Sequence, residues 1–234
     1  MKILAIETST MLGGVAIADD SLGLIAEARL NVKTTHSERL MTVIDQVIAQ
    51  SGLTIDAFDV YAVAAGPGSF TGLRIGLSTA KGLAYAAGKP VVAVPTLEAL
   101  AWNFPFAGHP VCVLLDARRG EVYAALYRWE SGRFIRDIAE ISVKAEDLLE
   151  RLDGTVIFAG EGAVAYRDRI IGIMGCRALF GPADKMVPAP SNVAMLGLRM
   201  AGEGMGTDPF NAAPLYVRKS EAEVRLQEQK GLSG

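Results

Sequence analysis

The sequence is poor in the residue types that most directly announce chemistry. It has two cysteines, Cys112 and Cys176, and two histidines, His36 and His109. The cysteines lie far apart with no Cys or His at ligand spacing, which argues against a disulfide framework and a structural zinc site and leaves buried thiols. The histidines form no pair four residues apart, so the helical metal site of zinc hydrolases has no counterpart. His36, beside Ser37 and Glu38, reads instead as a hydrogen-bonding residue at a helix start. Two scattered histidines also point to no Ser-His-Asp or Cys-His set, and no catalytic or metal-ligating residue is assigned.

Long apolar runs are missing too. Nothing reaches the roughly 18 to 20 residues that span a bilayer, and MKILAIETST reads as a buried strand with an acidic end rather than a signal peptide, so the expected compartment is the cytoplasm. Clustered positive charge is equally scarce: 23 Lys and Arg stand against 26 Asp and Glu, a net charge of -3. Phosphate contacts need concentrated cations, so nucleic acid is a poor sole partner. The one mixed-charge stretch, RKSEAEVRLQEQK at 218–230, reads as a solvated tail.

What the chain has is ordered periodicity. Three strand-like runs, Ile3 to Glu7, Gly14 to Ala18 and Leu24 to Leu30, form a meander. A helical pattern with Ser37 as N-cap follows and ends at Gly52. Then come the strand Val60 to Ala65, a helix from Thr71 to Ala87, the strand Val91 to Val94 and a helix from Thr96 to Asn103. The pattern restarts with strands Val111 to Leu115, Glu121 to Trp129 and Arg133 to Ser142. A helix at Ala145 to Leu152, the strand Thr155 to Ala159, a helix at Ala163 to Ile173, the strand Ala178 to Phe180 and a helix at Asn192 to Gly202 complete it. Two successive βββαβα units predict a duplicated α/β architecture of two lobes, each a mixed sheet with flanking helices, and two such lobes resemble the ribonuclease-H-like actin, Hsp70 and sugar-kinase type. Prolines and glycine in Phe104 to Pro110 mark the seam, which divides the chain into lobes 1–105 and 106–234, with the partner-binding helices in the first and the charged tail in the second.

The segment GPGSFTGLRIG, Gly66 to Gly76, joins a strand to a helix through a sharp glycine turn, with Ser69 or Thr71 as cap. It is not a Walker A loop, because Thr71 stands where that pattern needs glycine. On a helical wheel Gly72, Gly76, Thr79, Ala80, Leu83 and Ala87 share one side, and interior glycines at 72, 76 and 82 cost roughly 1 kcal/mol each, which close approach by another helix would offset. The preceding helix, Ser37 to Gln50, has an apolar arc of about 160 degrees, wider than the roughly 100 degrees one contact needs. The two helices are therefore expected to offer half of an intermolecular bundle, through Leu40, Ile44, Val47, Gly72, Leu73, Gly76, Ala80 and Leu83.

Several blocks resemble the TsaB (YeaZ) family, which serves threonylcarbamoyl-adenosine (t6A) modification of tRNA: ILAIETST, HSERL at His36 to Leu40, GPGSFTGLRIGLSTAKGLA, VAVPTLEALA, DARRGEVYAALY and PLYVR. The resemblance spans nearly the whole chain. It implies a non-catalytic scaffolding subunit that docks onto a TsaD-like transferase through the two helices, is joined by a TsaE-like ATPase and forms a homodimer when alone. It implies that tRNA is met only through the complex, that this chain alone requires no cofactor and that ATP or ADP with magnesium enters at the level of the complex.

An ATP phosphotransferase of the same superfamily is the competing expectation, and a metalloprotease-like hydrolase a weaker one. Phosphoryl transfer would use two phosphate hairpins and an acid near magnesium. The candidate cleft comprises Glu7, Ser9 and Thr10 in the first hairpin, Asp116 and Arg118 in the second, and Gly160 and Gly162 where the superfamily approaches adenosine. Arg118 and Arg119 are bulky where a phosphate turn favours small residues. Glu7 and Asp116 are the acids to test for catalysis, with inherited cleft structure as the alternative role.

Overall fold

A computed structural model describes residues 1–31 and 36–217. The charged tail at 218–230, Arg218 of PLYVR and the side chains of His36, Ser37 and Glu38 lie outside the described residues.

The expected duplication is present as two five-stranded sheets. In the first, β1 (Lys2–Glu7), β2 (Leu12–Asp19) and β3 (Gly23–Asn31) form the antiparallel meander, and β4 (Val60–Gly66) and β5 (Val91–Pro95) add in parallel, giving the order β3-β2-β1-β4-β5. In the second, β6 (Val111–Arg118), β7 (Glu121–Glu130) and β8 (Arg133–Lys144) repeat the meander, and β9 (Val156–Ala159) and β10 (Ala178–Phe180) repeat the parallel pair. The strands β1 and β4 are buried along almost their whole length, as the near-continuous apolar runs of a sheet covered on both faces require.

The helices are α1 (His36–Ser51), α2 (Phe70–Ala87), α3 (Thr96–Ala101), α4 (Ala145–Leu149), α5 (Glu161–Ala165), α6 (Arg167–Met174) and α7 (Pro190–Gly202). Several boundaries differ from the periodicity. The helix expected from Ala163 to Ile173 is broken at Tyr166 into α5 and α6, α1 starts one residue before Ser37, and α7 starts at Pro190, a residue suited to the first helical turn.

On one face of the first sheet, α1 and α2 bury Leu40, Val43, Ile44, Val47, Leu77, Ala80 and Ala84 against Leu4, Ile6, Val15, Ile17, Tyr61 and Val63. The opposite face is covered by α7, through Val193, Ala194, Leu196 and Met200. Gly197 lets α7 approach closely, because a Cβ there would lie 2.7 Å from both Ala62 Cβ and Ile3 Cδ1. Glu27 of β3 fixes the start of α7 by accepting from the Ser191 backbone N–H at 3.2 Å, a carboxylate at a helix N-terminus.

This placement corrects the division at residue 105. The helix α7, expected in the second lobe, closes the core of the first, while α3 inserts Leu97, Leu100 and Ala101 into the core of the second beside Val111, Val113, Leu115 and Tyr127. Asn192 ties the two exchanged helices, donating to Ala99 O at 2.9 Å and to Asn103 Oδ1 at 2.8 Å. Asn103 in turn donates to Lys185 O and Val187 O. Helix periodicity reports that one face is apolar, not which sheet it will cover.

Candidate functional site

The sharpest local constraint in the fold lies where Gly66 to Gly76 meets the loop after β1. Ser69 caps α2 by accepting from Gly72 N–H at 3.3 Å, and the Ser69 N–H donates to Ser9 O at 2.7 Å. The Ser69 N–H at the start of α2 is thus engaged by the chain's own carbonyl. A Cβ at Gly68 would stand 2.5 Å from Ser9 O, one at Gly72 1.9 Å from Thr8 O, and one at Gly76 2.2 Å from Thr8 Oγ1. Thr8 Oγ1 also donates to Gly72 O at 2.8 Å. Three glycines at four-residue spacing therefore form a track on which α2 rests against Thr8 and Ser9.

That track corrects the expected partner surface. Leu40, Ile44, Val47, Gly72, Leu73, Gly76 and Ala80 are buried within this chain, and Leu83 is partly buried in the same core. The wheel found the apolar strip correctly, but the strip faces the chain's own sheet. Outward on α1 are Arg39, Met41, Thr42, Asp45, Gln46 and Ala49, and outward on α2 are Phe70, Thr71, Arg74, Ser78, Gly82, Tyr85 and Ala86. Met41, Phe70 and Tyr85 are 48%, 46% and 65% exposed, large apolar groups left on the surface. Gly82 differs from its neighbours: a Cβ there would meet nothing within 4 Å. Its helical cost has no compensation among the described residues.

Sequence reasoning missed the segment that flanks this surface. After α7 the chain runs back along the first lobe, where Thr207 and Val91 exchange backbone hydrogen bonds of 2.9 Å and Leu215 N–H donates to Ala65 O at 2.8 Å. Lys81 holds it from α2 by donating to Phe210 O at 3.2 Å and Ala212 O at 3.0 Å. Phe210 packs edge-on against Tyr85, and Tyr216 stacks on Phe70. The left-handed φ of 133° at Gly66 belongs to the same crossing, since a Cβ there would lie 2.5 Å from Leu215 O. Its only signal in the sequence was PLYVR.

Between the lobes, Glu7 at the end of β1 is fully buried. Its Oε1 accepts from Ser9 N–H at 2.7 Å and from the Ser9 hydroxyl, while Oε2 has no partner among the described residues. Burial pushes its carboxyl up to about 7, against the opposing pull of the two Ser9 hydrogen bonds and with a further push from Glu161 across the cleft. Glu161 is itself raised, by burial first and then by the charge of Asp116. The structure thus couples Glu7, Glu161 and Asp116 electrostatically, two of which the sequence singled out. Thr10 is buried and donates to Leu12 O, a turn contact.

The remaining cleft candidates have local structural duties. Gly160 adopts φ 104°, and a Cβ would lie 2.0 Å from Leu114 O; at Gly162 the same oxygen would be 2.9 Å away. Both glycines admit close packing of the α5 start on β6. The β6–β7 hairpin turns at Arg119 and Gly120, with φ 57° and 81°, and Arg118 before it has φ 64°. Two arginines in left-handed backbone are costly relative to glycine or asparagine, by about 1 kcal/mol each. This hairpin is a poor fit to a nucleotide phosphate held by this chain alone, because it presents long side chains where a close backbone approach is needed. His109 stands apart from the cleft acids in the Phe104–Pro110 seam. Among the described residues no group of three or more His, Cys, Asp or Glu could hold a metal ion, and no helix is long and apolar enough to cross a membrane.

Comparison with known proteins assigns the chain to a family. The family model described as "TsaD: tRNA N6-adenosine threonylcarbamoyltransferase" matches residues 26–175. The tRNA threonylcarbamoyladenosine biosynthesis protein TsaB of Bacillus subtilis is 34% identical over 98% of this chain and the whole of that protein. The chain belongs to the TsaB family. TsaB of Escherichia coli is 32% identical over 97% of this chain and 98% of its own length. The crystallised YeaZ of Pseudomonas aeruginosa superposes with a TM-score of 0.79 at 27% identity, covering 92% of this chain and 99% of that one. The TsaD model, which spans α1 to α6, marks the TsaB family as a relative of the transferase in sequence.

Proposed function

We propose that this chain is a non-catalytic subunit of the machinery that makes t6A in tRNA, and that it acts by presenting the outward face of α1 and α2 to a TsaD-like transferase. Membership of the TsaB family gives it the role in tRNA threonylcarbamoyladenosine biosynthesis. The observation that carries the docking face is Gly82. It sits within α2, costs about 1 kcal/mol against alanine, and has nothing among the described residues to offset that cost. With Ser78 and Ala86 one turn to either side it leaves a low, flat strip on which another helix can lie close, and Met41, Phe70 and Tyr85 border it with apolar surface.

Support for a non-catalytic role comes from the cleft. Glu7 is buried and bonded to Ser9, the second hairpin carries the exposed Arg118 and Arg119 in left-handed backbone, and the Ser69 N–H at the start of α2 is engaged by Ser9 O. ATP or ADP with magnesium then belongs to the complex, with a TsaE-like ATPase as its third member, and tRNA is met through the complex. Alone, the chain pairs with a second copy through the same face. The test is Gly82→Arg, which places a long cation into open space. The variant should remain folded and lose co-elution with the transferase subunit, and a reconstituted mixture should lose t6A formation. Undiminished co-elution would remove the docking face, and magnesium-dependent ATP turnover by the isolated chain, abolished in Glu7→Ala, would remove the non-catalytic reading.

A further inference from the structure

The first turns of α2 carry a feature that neither the core nor the strap along α2 requires. The guanidinium of Arg74 lies 3.8 Å from the centre of the Phe70 ring, and Phe70 stacks on Tyr216 at 6.3 Å between centroids and 29° between planes. Arg74 and Tyr216 thus both pack on the exposed Phe70 ring. Helix α2, FTGLRIGLSTAKGLAYAA, contains no acidic residue, and its only other cation, Lys81, is engaged by the carbonyls of Phe210 and Ala212. Arg74 is exposed and has no ion-pair partner among the described residues. The contrast is Arg199, which lies over Trp102 and is also paired with Glu98.

A ring beneath an arginine fixes the plane of its fork, so less side-chain entropy remains to be lost when a planar oxyanion binds. Arginines of this kind, beside aromatic groups, are the residues that concentrate binding energy in interfaces. We propose that Arg74, held on the Phe70–Tyr216 stack, is the contact through which the α2 face takes a side-chain carboxylate of its transferase partner. The inference rests on the docking reading above and adds the chemistry of the partner surface: an acid near the start of α2, set beside the flat strip at Gly82. It also gives the strap after α7 a part in recognition, since Tyr216 packs on the same Phe70 ring.

The experiment measures the dissociation constant of the full chain for the TsaD-like subunit of the same organism, at several salt concentrations, alongside self-association. Arg74→Glu is expected to weaken transferase binding by at least about 10-fold. Arg74→Ala should flatten its salt dependence, and Arg74→Lys should restore the salt dependence but only part of the affinity. Each variant is checked for unchanged thermal unfolding, which a merely structural role would shift. Unchanged binding in Arg74→Glu, with Gly82→Arg still abolishing it, overturns the inference and leaves the docking face standing. Loss of self-association alone also overturns it, because the carboxylate would then belong to a second copy. Unchanged binding in both variants removes the docking face itself and the inference with it.

Discussion

Three glycines of one helix should respond to alanine with opposite signs. At Gly82 the added methyl meets open solvent, so the change recovers the helical propensity and nothing else: about 1 kcal/mol of stabilisation, or roughly 2–4 °C in Tm for a chain of this size. At Gly72 the methyl would lie 1.9 Å from the backbone oxygen of Thr8, and real contacts essentially never fall below 3.0 Å. Helix and strand end must separate by about 1 Å in a region buried on both sides, which overpacking data place at about 1–3 kcal/mol or more. At Gly76 the obstacle is Thr8 Oγ1, whose rotation would give up the buried hydrogen bond to Gly72 O, a loss of about 1 kcal/mol added to the crowding. After the propensity gain, Gly72→Ala and Gly76→Ala should each remain destabilised by about 1–3 kcal/mol. Scanning calorimetry and urea unfolding measure this, at concentrations low enough that self-association does not raise Tm. If Gly82→Ala loses as much stability as Gly72→Ala, the assignment of inner and outer faces of α2 is wrong.

Two further perturbations probe the cleft and the exchanged helices. The carboxyl of Glu7 is raised from 4.5 to about 7, so the folded chain holds a proton there that the unfolded chain releases. Stability from this group therefore falls as pH rises from about 4.5 to 7, and the deficit persists above that range. Glu7→Gln should raise the urea midpoint at pH 8, by up to about 3 kcal/mol of stability, and leave it nearly unchanged at pH 4; an equal effect at both values would refute the burial argument. Asn103→Ala removes the donor shared by Lys185 O and Val187 O and the acceptor for Asn192. A loss of about 2–3 kcal/mol is expected in the same unfolding assay, and a change below 0.5 kcal/mol would show that the link between α3 and α7 carries little.

The order of strands and helices was readable because period two and period 3.6 alternate cleanly along this chain, and two meanders of three strands leave few topologies open. The family was readable from blocks such as GPGSFTGLRIG. The faces were not. The wheel separates Gly82 from Gly72 and Gly76 but does not say which side faces the chain's own sheet; that is decided by what lies within a few ångströms, Thr8 for the first two and solvent for Gly82. Leu40, Ile44 and Val47 announced an apolar arc whose width was taken as surplus, whereas β1, β2 and β4 absorb it. Glu7 and Asp116 were legible as cleft acids, yet the partner that completes their coupling, Glu161, stood inside a short Gly-Glu-Gly turn with no pattern of its own. The strap after α7 went unread because its fixing contacts are backbone hydrogen bonds, which leave little trace in composition.

The exchange of α3 and α7 has a bearing on how the chain is made. On the ribosome the first sheet is complete once Pro95 has emerged, but the helix that covers its second face begins at Pro190. For almost a hundred residues of synthesis Ile3, Ala62, Val92 and Val94 lack the cover that α7 provides. The first lobe thus waits on the second before its core can close, so a nascent chain halted in this interval is a target for chaperones, and the two lobes mature as a single unit.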